Sequence, residues 1–258
     1  MKLNVLRADP AGNITLFVLD PVPSGDRAGI ATRIMALPGS DVEQVGYLCS
    51  PVMGGAGRIE MAGGEFCGNA TRAFGMLVSQ RLGGVPQVLV EVSGCEAPVA
   101  VDVDWSNRTA RAQMPLPRSV SRVEVDGHSG TLVDLGGIAH LVVEDVPPGL
   151  EFFQQAESIF GDFPDADAYG VIFLDTAKGT MTPLVSVPAA GTLVWEGSCG
   201  SGSLAAAVAQ SQTNGPFVRT YVQPAGMVEA SVIRQNGEVV SAWIGGPVIL
   251  DPPCEIEI

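Results

Sequence analysis

The sequence predicts an α/β protein of the mixed α+β kind, built in two halves, each a curved sheet wrapped about a central helix. Short alternating or β-branched stretches recur along all 258 residues, punctuated by Gly, Pro, Asn and Asp, which is the pattern of half-buried strands. Two helical stretches are small or apolar on most faces and therefore belong inside the protein rather than against solvent. A cysteine opens each of them: Cys67 in Cys67-Gly68-Asn69-Ala70-Thr71-Arg72 and Cys199 in Cys199-Gly200-Ser201-Gly202-Ser203-Leu204, so that each half carries one copy.

Residues 2–7 alternate as a strand, and Asp9-Pro10-Ala11-Gly12-Asn13 turns the chain into a second strand at 14–19. Residues 27–36 read as a helix, and 44–48 and 58–61 as strands. The glycine-rich bend Ala62-Gly63-Gly64-Glu65-Phe66 leads into the helix that Cys67 begins, which runs to about Leu82. Strand patterns follow at 87–92, 97–103 and 110–114, and Pro115-Leu116-Pro117 is the most linker-like segment of the chain. Beyond it come strands at 120–125, 131–135 and 139–143, a helix at 150–160, and strands at 170–174 and 181–187. Trp195-Glu196-Gly197-Ser198 reads as a bend before Cys199, and Leu204-Ala205-Ala206-Ala207-Val208-Ala209-Gln210 has very high helix propensity. Strands at 218–223, 227–233 and 239–244 close the pattern. The expected division is 1–116 and 117–246, with 247–258 returning to the first half.

Composition excludes several classes. A net charge of −14 lacks the clustered Lys and Arg that neutralise phosphates, so nucleic acid is not an expected partner. The two lysines are Lys2 at the terminus and Lys178 in an apparent turn, Asp175-Thr176-Ala177-Lys178-Gly179, and neither suits a Schiff base with pyridoxal phosphate. The five cysteines are odd in number and contain no C-x-x-C pair, which argues against a disulfide framework and against a zinc site; no metal and no cofactor are expected. Neither a signal peptide nor an apolar stretch of membrane-spanning length is present, so the expected setting is the cytoplasm, without a membrane partner. The sequence is compatible with a homodimer and does not fix the oligomeric state.

A thiol at a helix N-terminus sits at the positive end of the peptide dipole, among N–H groups that lack intrahelical partners. The expectation is a lowered thiol pKa and a site prepared for an anion. A lone Cys-Gly pair is usually inert packing, whereas two matched copies facing each other would form a two-base site for proton transfer. Cys49, Cys95 and Cys254 keep the packing reading.

Several blocks resemble the diaminopimelate epimerase family of cofactor-independent amino-acid racemases, which includes proline racemases. They are Pro10-Ala11-Gly12-Asn13, Glu43-Gln44-Val45-Gly46, Met61 through Thr71, Val92-Ser93-Gly94-Cys95 and Leu193 through Gly202, in family order over most of the chain. Within that family they are most similar to the histidine racemases of staphylopine-type metallophore synthesis. The resemblance implies two pseudo-symmetric halves, each a barrel-like sheet around a central helix, with the site in the cleft between them. It further implies that one thiolate removes the α-proton of an amino-acid substrate while the other thiol protonates the opposite face. The stretches that serve the distal end of diaminopimelate in that family are replaced here by Arg58-Ile59-Glu60-Met61 and Pro188-Ala189-Ala190-Gly191, and a Gly-Asn-Pro-His block by Gly137-Ile138-Ala139-His140. A distal zwitterion would be poorly satisfied, so histidine is favoured over diaminopimelate.

The expected catalytic pair is therefore Cys67 and Cys199, with Gly68, Asn69, Ala70, Gly200, Ser201 and Gly202 supplying amide donors to the α-carboxylate. Glu43 is expected to contact the substrate's side chain or amino group, and Glu65 or Glu196 to position the cysteine loops. Asn13 and Asn69 are either backbone-shaping residues or substrate contacts; His140 either tunes a thiol directly or is a structural strand histidine; Trp195 walls the pocket or simply packs; and His128 is a solvated turn residue. Alternatives left open by the residues are racemisation of another amino acid, an isomerase of the phenazine-biosynthesis type, which the paired thiols oppose, and a non-catalytic amino-acid-binding protein.

Overall fold

The computed structural model describes residues 1–161, 163 and 166–258. In chain order the elements are β1 (Lys2–Asp9), β2 (Thr15–Val18), α1 (Ser24–Met35), β3 (Gln44–Cys49), β4 (Arg58–Met61), α2 (Gly68–Arg81), β5 (Gln87–Val92), β6 (Val99–Asp104) and β7 (Thr109–Gln113). They continue with β8 (Ser119–Val125), β9 (His128–Asp134), β10 (Ile138–Glu144), α3 (Leu150–Phe160), β11 (Ala168–Asp175), β12 (Thr180–Val187), a 3-10 turn at Pro188–Ala190 and β13 (Thr192–Trp195). The last are α4 (Gly200–Gln210), β14 (Gly215–Val222), β15 (Met227–Gln235), β16 (Glu238–Pro247), β17 (Ile249–Leu250) and β18 (Cys254–Glu257). Two compact units result: Met1–Gln113 with Gly245–Ile258, and Met114–Ile244.

In the first unit, β1 pairs antiparallel with β2 on one side and with β17 and β18 on the other, in the registers Leu6↔Phe17, Ala8↔Leu250 and Leu3↔Ile256. The sheet continues through parallel β2–β3, antiparallel β3–β4 and parallel β4–β5, then antiparallel β5–β6–β7. The β4–β5 step is a short pairing with Arg58↔Glu91 and Ile59↔Val92 in register, and the strands do not form a closed barrel. α2 lies against β5, β6 and β7 and is buried continuously from Gly68 to Ser79, joining Ile59, Val90, Val101 and Ala112 in one core. Its close approach needs Gly75, where a Cβ would meet Val101 Cβ at 2.5 Å. α1 covers the other face, packing Ile30, Ala31 and Ile34 on Val5, Val18, Val45 and Tyr47.

The second unit runs antiparallel β8–β9–β10, parallel β10–β11, then antiparallel β11–β12–β13. A single bridge, Thr180↔Val222, joins β12 to the antiparallel β14–β15 pair. α4 packs against β9, β10, β11, β14 and β15, with Leu204 through Val208 almost wholly inaccessible. α3 seats Phe152, Phe153, Ala156 and Phe160 on Leu141, Val143, Val171 and Phe173. Its apolar residues follow the helical spacing that buries one stripe.

Local differences from the sequence reading have physical causes. Asp126 (φ 51°) and Gly127 (φ 74°) form a two-residue turn with Val125 opposite His128, so His128 opens β9 and edge-stacks on Phe152 instead of sitting in the turn. Trp195, read as the first residue of a bend, instead ends the exposed strand β13, which pairs with β12 where the sequence pattern predicts no strand. β17, two residues long, and β18, four, are too short to carry a strand pattern, and exist by pairing with β1. Among the described residues no helix is long and apolar enough to cross a membrane.

Candidate active site

Cys67 and Cys199 occupy the same local structure, each in its own unit. Both are N-caps with extended backbone, φ −125°, ψ 112° and φ −114°, ψ 109°. Ala70 N–H donates to Cys67 Sγ at 3.4 Å, and Gly202 N–H to Cys199 Sγ at 3.4 Å. Each sulfur thus takes the place of the oxygen of a Ser or Asp cap, and Ala70 and Gly202 serve the thiols themselves. The Thr71 hydroxyl donates to the Cys67 carbonyl and the Ser203 hydroxyl to the Cys199 carbonyl, both at 2.7 Å, which fixes the first turn of each helix.

Around Cys67 the groups come from four segments of the chain. The turn before β2 holds Ala11 and Gly12 at φ 62° and 88°, and the Gly12 N–H donates to the Asp9 carboxylate at 2.6 Å. This conformation presents Asn13, 6% exposed, with its Oδ1 4.0 Å from Cys67 Sγ. Asn13 Nδ2 donates to Glu43 at 2.7 Å, and Gln44 Nε2 donates to Asn13 Oδ1 at 2.9 Å. Glu43 therefore orients Asn13; its own pKa is raised by partial burial, against the Asn13 amide, and further by Asp41 and Asp9. The bend before Cys67 is pinned by Ser93, whose hydroxyl donates to the Glu65 carbonyl at 2.7 Å and accepts from Met61 N–H at 2.9 Å. Gly94 at φ 76° lets that turn lie against Phe66, which accounts for the Val92–Cys95 block. Glu65 itself is exposed.

Around Cys199 the arrangement differs. The Cys199 N–H donates to Gln223 Oε1 at 2.7 Å, and Gln223 Nε2 donates to Ser203 at 3.0 Å. Ser201 Oγ lies 3.5 Å from Cys199 Sγ and 2.8 Å from His140 Nε2. His140 thus reaches the thiol through Ser201 and not as a direct thiol–imidazole pair. It is fully buried, and burial lowers its pKa to about 3, so the ring is neutral at pH 7. Gly170 leaves the room for it: a Cβ there would stand 2.3 Å from Nδ1. Trp195 is on β13, partly exposed, with its ring 6.0 Å from that of Phe173.

The expectation of lowered thiol pKa values is overturned. Burial pushes the Cys67 thiol up to about 11, against the Ala70 amide, with Glu65 adding to the rise. The Cys199 thiol is raised well above its ordinary value by burial and then by Glu196, the Ser201 hydroxyl opposing. Desolvation of a thiolate outweighs one amide and a helix terminus.

Four buried side-chain atoms among the described residues have no hydrogen-bond partner: Gln44 Oε1, Arg72 Nη2, His140 Nδ1 and Ser198 Oγ. Each belongs to the surroundings of one cysteine or the other: Gln44 holds Asn13 beside Cys67, Arg72 lies on α2, His140 reaches Ser201, and Ser198 precedes Cys199. Unsatisfied buried groups are rare and call for an explanation in function. The sequence reading missed Gln44, Arg72 and Gln223 as members of the site. The signal for Arg72 is a cation in the middle of a helical run, Ala70 to Val78, whose other residues are small or apolar. Neither lysine belongs to either half-site; Lys2 pairs with Glu255 and Lys178 with Asp175 at the surface.

The family model described as "Histidine racemase CntK N-terminal domain" matches residues 2–251. The chain belongs to this family. A histidine racemase of Fusobacterium nucleatum (strain ATCC 25586) is 29% identical over 258 residues, covering 95% of this chain and 93% of that one. A histidine racemase of Staphylococcus aureus (strain Mu50) is 27% identical over 232 residues, 85% of each chain. In architecture the chain is similar to a predicted epimerase from Pseudomonas aeruginosa, with a TM-score of 0.67 at 13% identity over 98% of this chain and 99% of that one.

Proposed function

We propose that the protein is a pyridoxal-independent histidine racemase in which the thiols of Cys67 and Cys199 exchange the α-proton, one as base and the other as acid. The observation that carries this reading is the gathering of buried, unsatisfied polar atoms about two cysteine-capped helix starts, in a chain of the histidine racemase family. The α-proton of an amino acid is weakly acidic, so its removal requires stabilisation of the charge that moves into the carboxylate. Apart from the Ala70 and Gly202 N–H groups that cap the sulfurs, the first-turn amides of α2 and α4 have no intrahelical acceptors and would meet incoming negative charge. The raised thiol pKa values fit this chemistry, since the substrate ammonium would favour the thiolate at the moment it is needed. Five unpaired cysteines suit a reducing cytoplasm, and the family suggests that D-histidine is made for a metallophore.

Incubation of the protein with L-histidine in heavy water tests the activity. D-Histidine carrying deuterium at Cα is expected, and Cys67→Ser or Cys199→Ser should reduce its formation by at least about 10³-fold, the scale of a lost general acid or base. Exchange with another amino acid but not histidine would move the substrate. No exchange with any would leave a binding protein, and a serine variant active at the wild-type rate would remove the two-thiol mechanism.

A further inference from the structure

Aligning the two helix starts on their cysteines places Asn69 opposite Ser201, Thr71 opposite Ser203 and Arg72 opposite Leu204. The first turns match in cap geometry and in the hydroxyl bonds to the cysteine carbonyls, but only one of them has a cation behind it. Arg72 is fully buried. Its Nε donates to Asn69 Oδ1 at 3.1 Å and Nη1 to the Pro247 carbonyl at 2.8 Å, while Nη2 is buried without an acceptor. Both bonded partners are neutral, and among the described residues no carboxylate forms an ion pair with it. A buried guanidinium in that condition costs stability, whereas leucine at the matching position of α4 does not.

We propose that Arg72 is a positioning residue that makes the two thiols unequal: its buried charge behind the first turn of α2 favours the thiolate at Cys67, which is the thiol that ionises more readily, while Cys199 holds its proton more tightly. The inference rests on the racemase reading and deepens it by assigning which thiol gives up its proton more readily. The surroundings of each thiol support it. Cys67 accepts from the Gln44 amide and the Asn69 and Ala70 N–H groups and feels the charge of Arg72, while the Asn13 Oδ1, to which its thiol donates, and Glu65 oppose. Cys199 faces Glu196, the Ser201 hydroxyl, the Gly202 N–H and, through Ser201, a neutral His140, and among the described residues no cation is one of the principal groups acting on it. Arg72 keeps its charge at pH 7, since burial brings its pKa down only to about 10 while Cys67 and Asp9 oppose the fall. Holding Asn69 Oδ1 also fixes the side chain that follows the cysteine by two residues.

Peptide-specific alkylation by iodoacetamide across pH, read by mass spectrometry, tests this in two steps. With Arg72 intact, Cys67 in the Cys199→Ser protein should react with a lower apparent pKa than Cys199 in the Cys67→Ser protein. This comparison does not depend on any Arg72 variant folding, and a Cys199 profile at or below that of Cys67 would overturn the assignment. In the Cys199→Ser background, Arg72→Met should move the Cys67 profile up by about one pH unit, about tenfold in thiolate at neutral pH, and Arg72→Lys should restore most of it. An unmoved Cys67 profile in folded Arg72→Met protein would also overturn it. Either negative result, obtained with wild-type protein that still deuterates histidine, rejects the role of Arg72 and leaves the racemase reading standing.

Discussion

Glu43 stands at the outer end of a side-chain chain that reaches a thiol: its Oε2 accepts from Asn13, whose Oδ1 accepts from Gln44 and lies 4.0 Å from Cys67 Sγ. Replacing it by glutamine keeps an acceptor for Asn13 and removes only the charge. If that charge recognises the imidazole or ammonium of histidine, Glu43→Gln should raise KM for histidine about tenfold with a smaller effect on kcat, the scale of one charge-assisted hydrogen bond in a half-exposed site. Steady-state racemisation followed by circular dichroism checks it, and unchanged kinetics would confine Glu43 to shaping the Asn13 turn. At this scale the sequence was informative where a residue type is chemically rare at its position. Two cysteines heading helices could be read directly, while Gln44 and Gln223 look like ordinary polar strand residues. Only the folded chain puts the amide of Gln44 on Asn13 and that of Gln223 on the Cys199 N–H. The direction of the thiol pKa shifts was illegible for a related reason, since desolvation depends on the walls around a sulfur and not on its neighbours in sequence.

α2 illustrates how an element delivers a functional residue. Its buried face must sit close to β6, and the contact is made at Gly75, where a methyl group would stand 2.4–2.7 Å from three atoms of the Val101 side chain. Val101 is fully buried and paired with Ala112, so it has little room to yield. Gly75→Ala gains up to about 1 kcal/mol of helix propensity and still should destabilise the protein by about 1–3 kcal/mol through overpacking. Val101→Ala should recover much of the loss in the double variant, as a coupled pair must; thermal melts of the four proteins measure this, and additive losses would show that the helix is not seated by that contact. Elements with a strong period were legible in the sequence. α3 at Leu150–Phe160 and β5 at Gln87–Val92 are found where the apolar spacing placed them. α1 begins at Ser24, earlier than its apolar stripe indicates, because its first turn, Ser24 through Arg27, has no buried residue to betray it. β13, β17 and β18 owe their existence to partners elsewhere in the chain, which local pattern does not encode.

Over the whole molecule, the buried titratable groups set how the protein responds to acid. His140, in the second unit, has an ordinary pKa near 6.5 when unfolded and about 3 in the fold, because burial disfavours its charged form. Between those values the unfolded chain binds a proton that the native protein does not, so stability rises with pH and is lost as pH falls from about 6.5. Glu91, in the first unit, behaves differently: its carboxylate is buried, yet three amide donors from Val52, Met53 and Gly55, together with Arg58, overcome desolvation and hold it down to about 2. Its contribution is complete above the ordinary carboxylate range and is lost only below it. The acid side of the stability profile should therefore have two stages, histidine first. From pH 7 to 5 the urea midpoint of the wild type should fall, with a slope in free energy of up to about 1.4 kcal/mol per pH unit from His140 alone. His140→Gln keeps a polar partner for Ser201 but cannot titrate, and should flatten the profile between pH 6.5 and 5 while leaving the decline below pH 4.5 in place. Urea unfolding monitored by tryptophan fluorescence at half-unit steps of pH distinguishes the two stages. An equally steep fall above pH 5 in the glutamine variant would mean that His140 does not remain neutral in the native protein, and with it would go the neutral partner assigned here to Ser201 and Cys199.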